Sequence, residues 1–166
     1  SDLVMTSGEQ VTVGLLSMIL KQLNIKSIPL LGWQIPIVTD CNHGKSKILN
    51  ISNENINHYF KFYDVIVLAG FQGVNIEGDI TSLGRGGSDT TAVAIAASLN
   101  AERCDIYTDV DGVYTTDPNM ESSAKKIDKV AYEEMLEMSS TGAKVLQTRS
   151  VELAMKNNLT LQVLSS

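Results

Sequence analysis

The sequence has no run approaching the ~20 apolar residues that span a bilayer. Its start, Ser1-Asp2-Leu3-Val4-Met5, lacks the basic and apolar regions of a secretory signal. No membrane partner is therefore expected. Cysteine is scarce: Cys41 and Cys104 stand far apart and form neither a CxxC pair nor a metal spacing. Two distant thiols suit a reducing cytosol, so a cytoplasmic protein with free cysteines is expected. The two histidines, His43 and His58, fall in no ligand pattern such as HExxH and read as polar surface residues. Positive charge is thin as well, with 13 Lys and Arg against 19 Asp and Glu, and the densest basic cluster is the pair Lys125-Lys126. A net charge of −6 argues against a nucleic-acid footprint and against attraction to anionic lipid. Internal repeats, low-complexity tracts, Walker A and GxGxxG are all missing, which removes the P-loop and Rossmann readings.

What is present describes an ordinary globular chain. Its 166 residues suffice for one compact domain, and 43% apolar content argues against disorder. Thr6-Ser7-Gly8-Glu9 precedes apolar residues Val11, Leu15, Leu16, Ile19, Leu20 and Leu23 at three-and-four spacing, which predicts a helix with that face buried. Ser7 is its candidate cap, with Glu9 in the first turn. Short strands are expected at 28–31, 35–38 and 47–51, and a short helix at 54–61. Asp64 to Gly70 is a β-branched run ending in glycine, the pattern of a buried strand in a parallel sheet. Weak strand signals follow at 74–76 and 80–82, then an apolar helix over 89–101 and a strand over 103–108. Helices over 130–138 and 142–156 and a strand over 159–163 complete the chain. Alternating helices and strands predict an α/β fold with a largely parallel sheet.

Three segments could carry chemistry. In Thr81-Ser82-Leu83-Gly84-Arg85-Gly86-Gly87-Ser88-Asp89, three glycines and an arginine precede a helix N-terminus. Helix N–H groups and dipole favour an anion there, glycines let backbone approach it, and Arg85 can grip a carboxylate or phosphate. A plain glycine turn capped by Ser88 or Asp89 fits the same pattern. In Tyr107-Thr108-Asp109-Val110-Asp111-Gly112-Val113-Tyr114-Thr115-Thr116-Asp117-Pro118, the residues follow a strand, at the edge where α/β sheets bind ligands. The three aspartates lack the closing glutamate of an EF-hand, and an Asp/Gly-rich hairpin turn is the alternative. Gly142-Ala143-Lys144 puts a lysine at a helix start, where a nearby anion would relieve it, although a solvated lysine fits equally.

Together these segments resemble the amino acid kinase superfamily and, within it, the aspartokinases. The resemblance rests on AGFQGVNIEGDITSLGRGGSDTTAVAIAASLNAERCDIYTDVDGVYTTDPN, on YEEMLEMSSTGAKVLQTRSVELA and on TSGEQV near the start. It implies a three-layer αβα sandwich in which residues 1–166 are a partial catalytic domain. It also implies transfer of the ATP γ-phosphate to the side-chain carboxylate of L-aspartate, the first step toward lysine, threonine and methionine. Carried onto matching positions, Glu9 takes the aspartate ammonium, and Arg85, Gly86, Gly87 and Ser88 hold its carboxylate end. Tyr107, Thr108, Asp109, Tyr114, Asp117 and Pro118 meet the nucleotide. Lys144 neutralises phosphate, and Asp89 orients the catalytic lysines. Magnesium rides mainly on the ATP phosphates with no protein metal site, and the parent enzyme is a homo-oligomer. Glutamate 5-kinase, uridylate kinase or a non-catalytic nucleotide-binding subunit are the rival readings.

The family's Lys-(Phe/Tyr)-Gly-Gly-Thr-Ser loop has no counterpart in this sequence, nor do its ACT domains. Asn119 replaces a frequent arginine, and Gln147-Thr148 a frequent His-Pro. The 166 residues alone are therefore expected to have little kinase activity, since one of two phosphate-neutralising lysines is missing.

Overall fold

The computed structural model describes residues 1–117, 120–141 and 145–166. It divides into two compact units, Ser1–Thr91 and Ala92–Ser166.

The first unit opens with α1 (Asp2–Gln22) and continues through β1 (Ser27–Leu30), β2 (Ile37–Thr39), β3 (Ile48–Ile51), α2 (Asn53–Tyr59) and β4 (Val65–Leu68). Next come β5 (Gln72–Val74), β6 (Ile80–Ser82) and the first turns of α3 (Gly87–Ser98). β1 and β4 pair in parallel, as the β-branched run 64–70 predicts. β2, β3, β5 and β6 form a second sheet in the order β3-β2-β5-β6, parallel only between β2 and β5. The expectation of a largely parallel sheet thus holds for the β1–β4 ladder, while the four-stranded sheet is mostly antiparallel, its β2–β3 and β5–β6 links (residues 40–47 and 75–79) being too short for a parallel crossover.

α1 differs from its sequence reading in two ways. It begins at Asp2 with Ser1 as cap, so Ser7 lies inside it and bonds the Val4 carbonyl at 2.8 Å. Its inward residues are Asp2, Thr6, Val13 and Ser17, whereas Val11, Leu15, Leu16, Ile19 and Leu23 are exposed. Of the predicted buried face only Leu20 packs inward, half-buried against Val13, Val67 and Ala69; the rest faces outward. By length and composition α1 is also apolar enough to cross a membrane, contrary to the expectation that no stretch comes close. Its inner face is nonetheless committed to protein by side-chain hydrogen bonds. Ser17 and Ser27 share one at 2.9 Å, and Gln10 Nε2 donates to Gln72 Oε1 at 3.3 Å.

The second unit holds the remainder of α3, then β7 (Arg103–Thr108), α4 (Tyr132–Thr141), α5 (Thr148–Lys156) and β8 (Thr160–Ser165). β7 and β8 pair in parallel over six residues each, from Arg103 with Thr160 to Thr108 with Ser165. Its core is apolar: Val93, Ala96, Cys104, Ile106, Val113, Met135, Leu146, Val151, Ala154 and Leu159. Tyr132 closes it, donating its hydroxyl to the Leu159 carbonyl at 2.8 Å. The helix expected over 142–156 starts instead at Thr148, with Gln147 as cap. Cys41 is exposed and Cys104 buried, and no disulfide joins them.

Candidate functional site

The glycine turn is built at the carboxyl end of β4. After Leu68 the chain runs through Ala69 and Gly70 to Phe71, whose backbone takes a positive φ of 66°. Phe71 N–H donates to Thr91 Oγ1 at 3.1 Å, and its carbonyl accepts Leu83 N–H at 3.0 Å. These two bonds fasten the strand end to both sides of the turn that opens α3. Gly84 and Gly86 adopt φ of +73° and +68°, the left-handed region that glycine enters without penalty. A side chain on Gly87 would meet Phe71 Cδ2 at 2.8 Å and Leu83 Cβ at 2.9 Å, so only glycine lets the helix start so close to the strand end.

The first turn of α3 is tightened by Thr90 Oγ1 bonding the Gly86 carbonyl at 2.9 Å and Thr91 Oγ1 bonding the Gly87 carbonyl at 2.8 Å. Arg85 and Ser88 are exposed there, and Asp89 is half-buried. Burial pushes the Asp89 carboxyl above its ordinary value. An anion-accepting helix start with an arginine fork beside it can bind a carboxylate or phosphate group.

Glu9 sits half-buried on α1. Its neighbour Gln10 reaches Gln72, whose Nε2 in turn lies 3.5 Å from the Gly70 carbonyl and 3.5 Å from that of Thr6. Gly70 packs against Ser88, since a Cβ there would lie 3.5 Å from Ser88 Cα. The helix bearing Glu9 is thus linked through Gln72 to the strand end on which the glycine turn rests. Gln72 is fully buried and escaped the sequence reading, as did Asp2 and Thr6. Asp2, Thr6, Gln10, Val13 and Ser17 do recur at helical spacing, but four of the five are polar, so the spacing alone does not mark them as the inner face.

In the second unit the predicted nucleotide residues follow β7. Tyr107 and Asp109 are exposed and Thr108 is half-buried, with its hydroxyl donating to Asp109 Oδ1 at 3.1 Å. The chain then returns as a short antiparallel ladder, in which Tyr114 bridges Lys126 and Ile127 N–H donates to the Val113 carbonyl at 2.8 Å. The hairpin alternative is therefore partly realised, beyond the aspartate-rich bend rather than at it. Tyr114 donates its hydroxyl to Asp111 Oδ1 at 2.9 Å, and Lys126 Nζ stands 3.2 Å from Asp111 Oδ2. The Tyr114 hydroxyl, then Lys126, hold the Asp111 carboxyl below its ordinary value, and Asp111 in return pushes the Tyr114 hydroxyl up. Lys126 is a further residue that the sequence left unassigned. Asp117 is exposed. Pro118 and Lys144 lie outside the described residues, as does Asn119.

A cavity of about 720 Å³ opens in this unit between residues 126–132 and β8, but none of the predicted nucleotide residues lines it. His43, read as a plain surface residue, is half exposed, and its Nδ1 lies 2.9 Å from Asp2 Oδ2.

Comparison with known proteins follows the same lines. Residues 1–165 match the model of the amino acid kinase family. The aspartate kinase of Pseudomonas fluorescens is 53% identical over 165 residues, which cover 99% of this chain and 40% of that protein. The crystal structure of E. coli aspartokinase III in complex with aspartate and ADP superposes with a TM-score of 0.91 at 33% identity, covering 99% of this chain and 37% of that one. Aspartate kinase from Synechocystis gives a TM-score of 0.83 at 41% identity, over 98% and 26% of the two chains. This chain spans about 40% of the length of the curated relatives it matches.

Proposed function

This chain belongs to the amino acid kinase family, with an α/β fold of the aspartokinase kind, and within that family we propose that residues 1–166 carry the aspartate- and ATP-binding part of an aspartate kinase catalytic domain. The reaction moves the γ-phosphoryl group of ATP to a side-chain carboxylate oxygen of L-aspartate, with ADP leaving and 4-phospho-L-aspartate formed. The attacking carboxylate is already ionised at neutral pH, so no general base is required. What the reaction needs is positioning of two anions and stabilisation of the charge between them.

The observation that carries the reading is the glycine turn with Arg85 at the start of α3, in a chain that is 53% identical over 165 residues to part of an aspartate kinase. Arg85 and the Gly86–Ser88 backbone receive the α-carboxylate of aspartate, and Glu9 its ammonium. Half-buried Asp89, raised by burial, is suited to a cationic partner, the role the family gives to a lysine such as Lys144. Tyr107, Thr108, Asp109, Tyr114, Asp117 and Pro118 meet the nucleotide. Magnesium would arrive on the ATP phosphates and neutralise them there. The same reading implies a cytoplasmic protein and a homo-oligomeric whole enzyme.

Calorimetry tests the substrate assignment. L-aspartate should bind, while L-glutamate and UMP should not. Arg85→Ala should weaken L-aspartate by at least about tenfold, as loss of a charge-assisted fork implies. Equal binding of glutamate, or an unchanged affinity in the variant, refutes it.

A further inference from the structure

Asp2 is the most heavily committed carboxylate in the first unit, and the reaction described above does not use it. It is 7% exposed. Its Oδ2 takes three donors: His43 Nδ1 at 2.9 Å, Ser82 N–H at 3.0 Å and Gly44 N–H at 3.2 Å. Its Oδ1 accepts the Ser82 hydroxyl at 3.2 Å. Burial pushes this carboxyl up, but the hydrogen bonds from His43, Ser82 and Gly44 outweigh it, and Asp2 ends below its ordinary value.

The donors come from two places that matter for the glycine turn. Ser82 ends β6, two residues before Gly84 and three before Arg85. Gly44 belongs to a loop that lies on the turn itself, for a Cβ on Gly84 would stand 2.8 Å from the Gly44 carbonyl oxygen. A second bond, Ser46 N–H to the Ser82 carbonyl at 3.0 Å, closes the same loop onto the same residue. The acceptor of all this sits at the start of α1, seven residues before Glu9. Seven residues are about two helical turns, so Asp2 and Glu9 share one face about 10 Å apart along the axis.

We propose that Asp2 is a positioning residue: its carboxylate fastens the Ser82 strand end and the 43–44 loop to α1, and thereby holds the Gly84–Gly87 turn and Arg85 in register with Glu9. The inference rests on the reading of Arg85–Ser88 as the aspartate-binding loop. Its chemistry explains why an acceptor oxygen is needed there. One oxygen must accept from two backbone N–H groups and an imidazole at once, and an unmet buried N–H is costly to leave.

The test uses the full chain, with amide exchange followed by NMR and L-aspartate titrated into each variant. Asp2→Ala strips the acceptors. The Ser82 and Gly44 amides should then exchange at least about tenfold faster relative to those of β1 and β4, and the Kd for L-aspartate should rise about tenfold. Asp2→Asn can keep its carbonyl oxygen toward the same N–H groups, so it should stay closer to the parent than His43→Ala does in both readings. His43→Ala, on an exposed loop, removes one donor and should give the same pattern at about threefold if Asp2→Ala fails to fold. Ser17→Ala is the control: it breaks the buried Ser17–Ser27 bond on the same helix, away from the turn, and should leave the Kd unchanged.

Unchanged Ser82 and Gly44 exchange in Asp2→Ala (or in His43→Ala where that variant stands in) overturns the proposal. So does a Kd increase in Ser17→Ala equal to that in Asp2→Ala, because the effect would then be general loosening. If the parent chain binds no L-aspartate, the substrate reading falls, and the exchange comparison alone still decides whether Asp2 holds the turn.

Discussion

The two units of this chain are held together by different means. The second has a continuous apolar core running from Val93 to Leu159. Among its described residues Ser150 is the sole buried polar side chain. The first buries Asp2, Thr6, Ser17, Ser27, Thr39, Gln72, Thr81 and Ser82, and joins them in pairs and networks. Thr39 and Thr81 share a hydrogen bond of 2.6 Å, Ser17 and Ser27 one of 2.9 Å, and Asp2 accepts four. Area burial is tolerant of small shifts, whereas hydrogen bonds fix direction and distance. The difference teaches that the unit with the arginine-bearing glycine turn is the one built for register.

The largest expected effect lies where backbone approaches backbone in the first unit. A Cβ on Gly73 would stand 2.5 Å from both the Ile37 carbonyl oxygen and Thr39 Cγ2, so Gly73→Ala must push β5 off β2. A loss of about 3 kcal/mol or more, seen as a lower denaturant midpoint, is expected from such overpacking. Next comes the apolar core of the second unit. Met135→Ala at a site 4% exposed should cost about 2–5 kcal/mol through lost burial and a cavity. If the contrast between units is real, amides of β7 and β8 lose protection in that variant more than those of β1 and β4.

Smaller, but sharper for the contrast, is the threonine pair. Thr39→Val or Thr81→Val alone strands a buried hydroxyl and should cost about 1–3 kcal/mol, while the double substitution should cost less than the two added together. Strict additivity in that cycle would remove the case for paired polar burial.

Charge gives the smallest effects, with opposite signs at two aspartates. Asp2 is lowered in the folded state, so its contribution is complete above the unfolded value of 3.8 and is lost as pH falls through the folded one. Asp89 is raised by burial, so its ionised form costs stability at neutral pH, and that cost is relieved as pH falls through its raised value toward 3.8. Asp89→Asn should therefore stabilise the chain at pH 7 and Asp2→Asn destabilise it, the Asp89 difference fading as pH falls toward 3.8 and the Asp2 difference only below 3.8. Chemical denaturation at several pH values reads both.

The same contrast decides what could be read from the sequence. In the second unit, apolar content reports burial truthfully, and the strand over 103–108 is found to the residue. In the first unit it does so for Leu30, Ile35, Ile37 and Val67 but fails on α1. Val11, Leu15 and Ile19 repeat at helical spacing and predict a buried face, yet the buried stripe is Asp2, Thr6, Val13 and Ser17. Helical period was legible; the identity of the inner face was not, because paired polar groups can be buried as well as apolar ones. The glycine turn was legible from three glycines and an arginine before a helix start. Its supports were not, since Asp2 is 41 residues from His43 and 80 from Ser82 in sequence and no local spacing connects them. Tyr114 was named from its motif, while its tie to Asp111 and Lys126 required the ladder that brings residue 126 back.

The central claim is that the turn from Gly84 to Asp89 receives L-aspartate. An NMR titration of the full chain with L-aspartate, L-glutamate and magnesium ATP tests it most directly. The account predicts that L-aspartate moves the amides of residues 84–89, that L-glutamate does not, and that magnesium ATP moves those of residues 107–117. Amides of 84–89 that stay still under saturating L-aspartate, or that respond equally to L-glutamate, would contradict it.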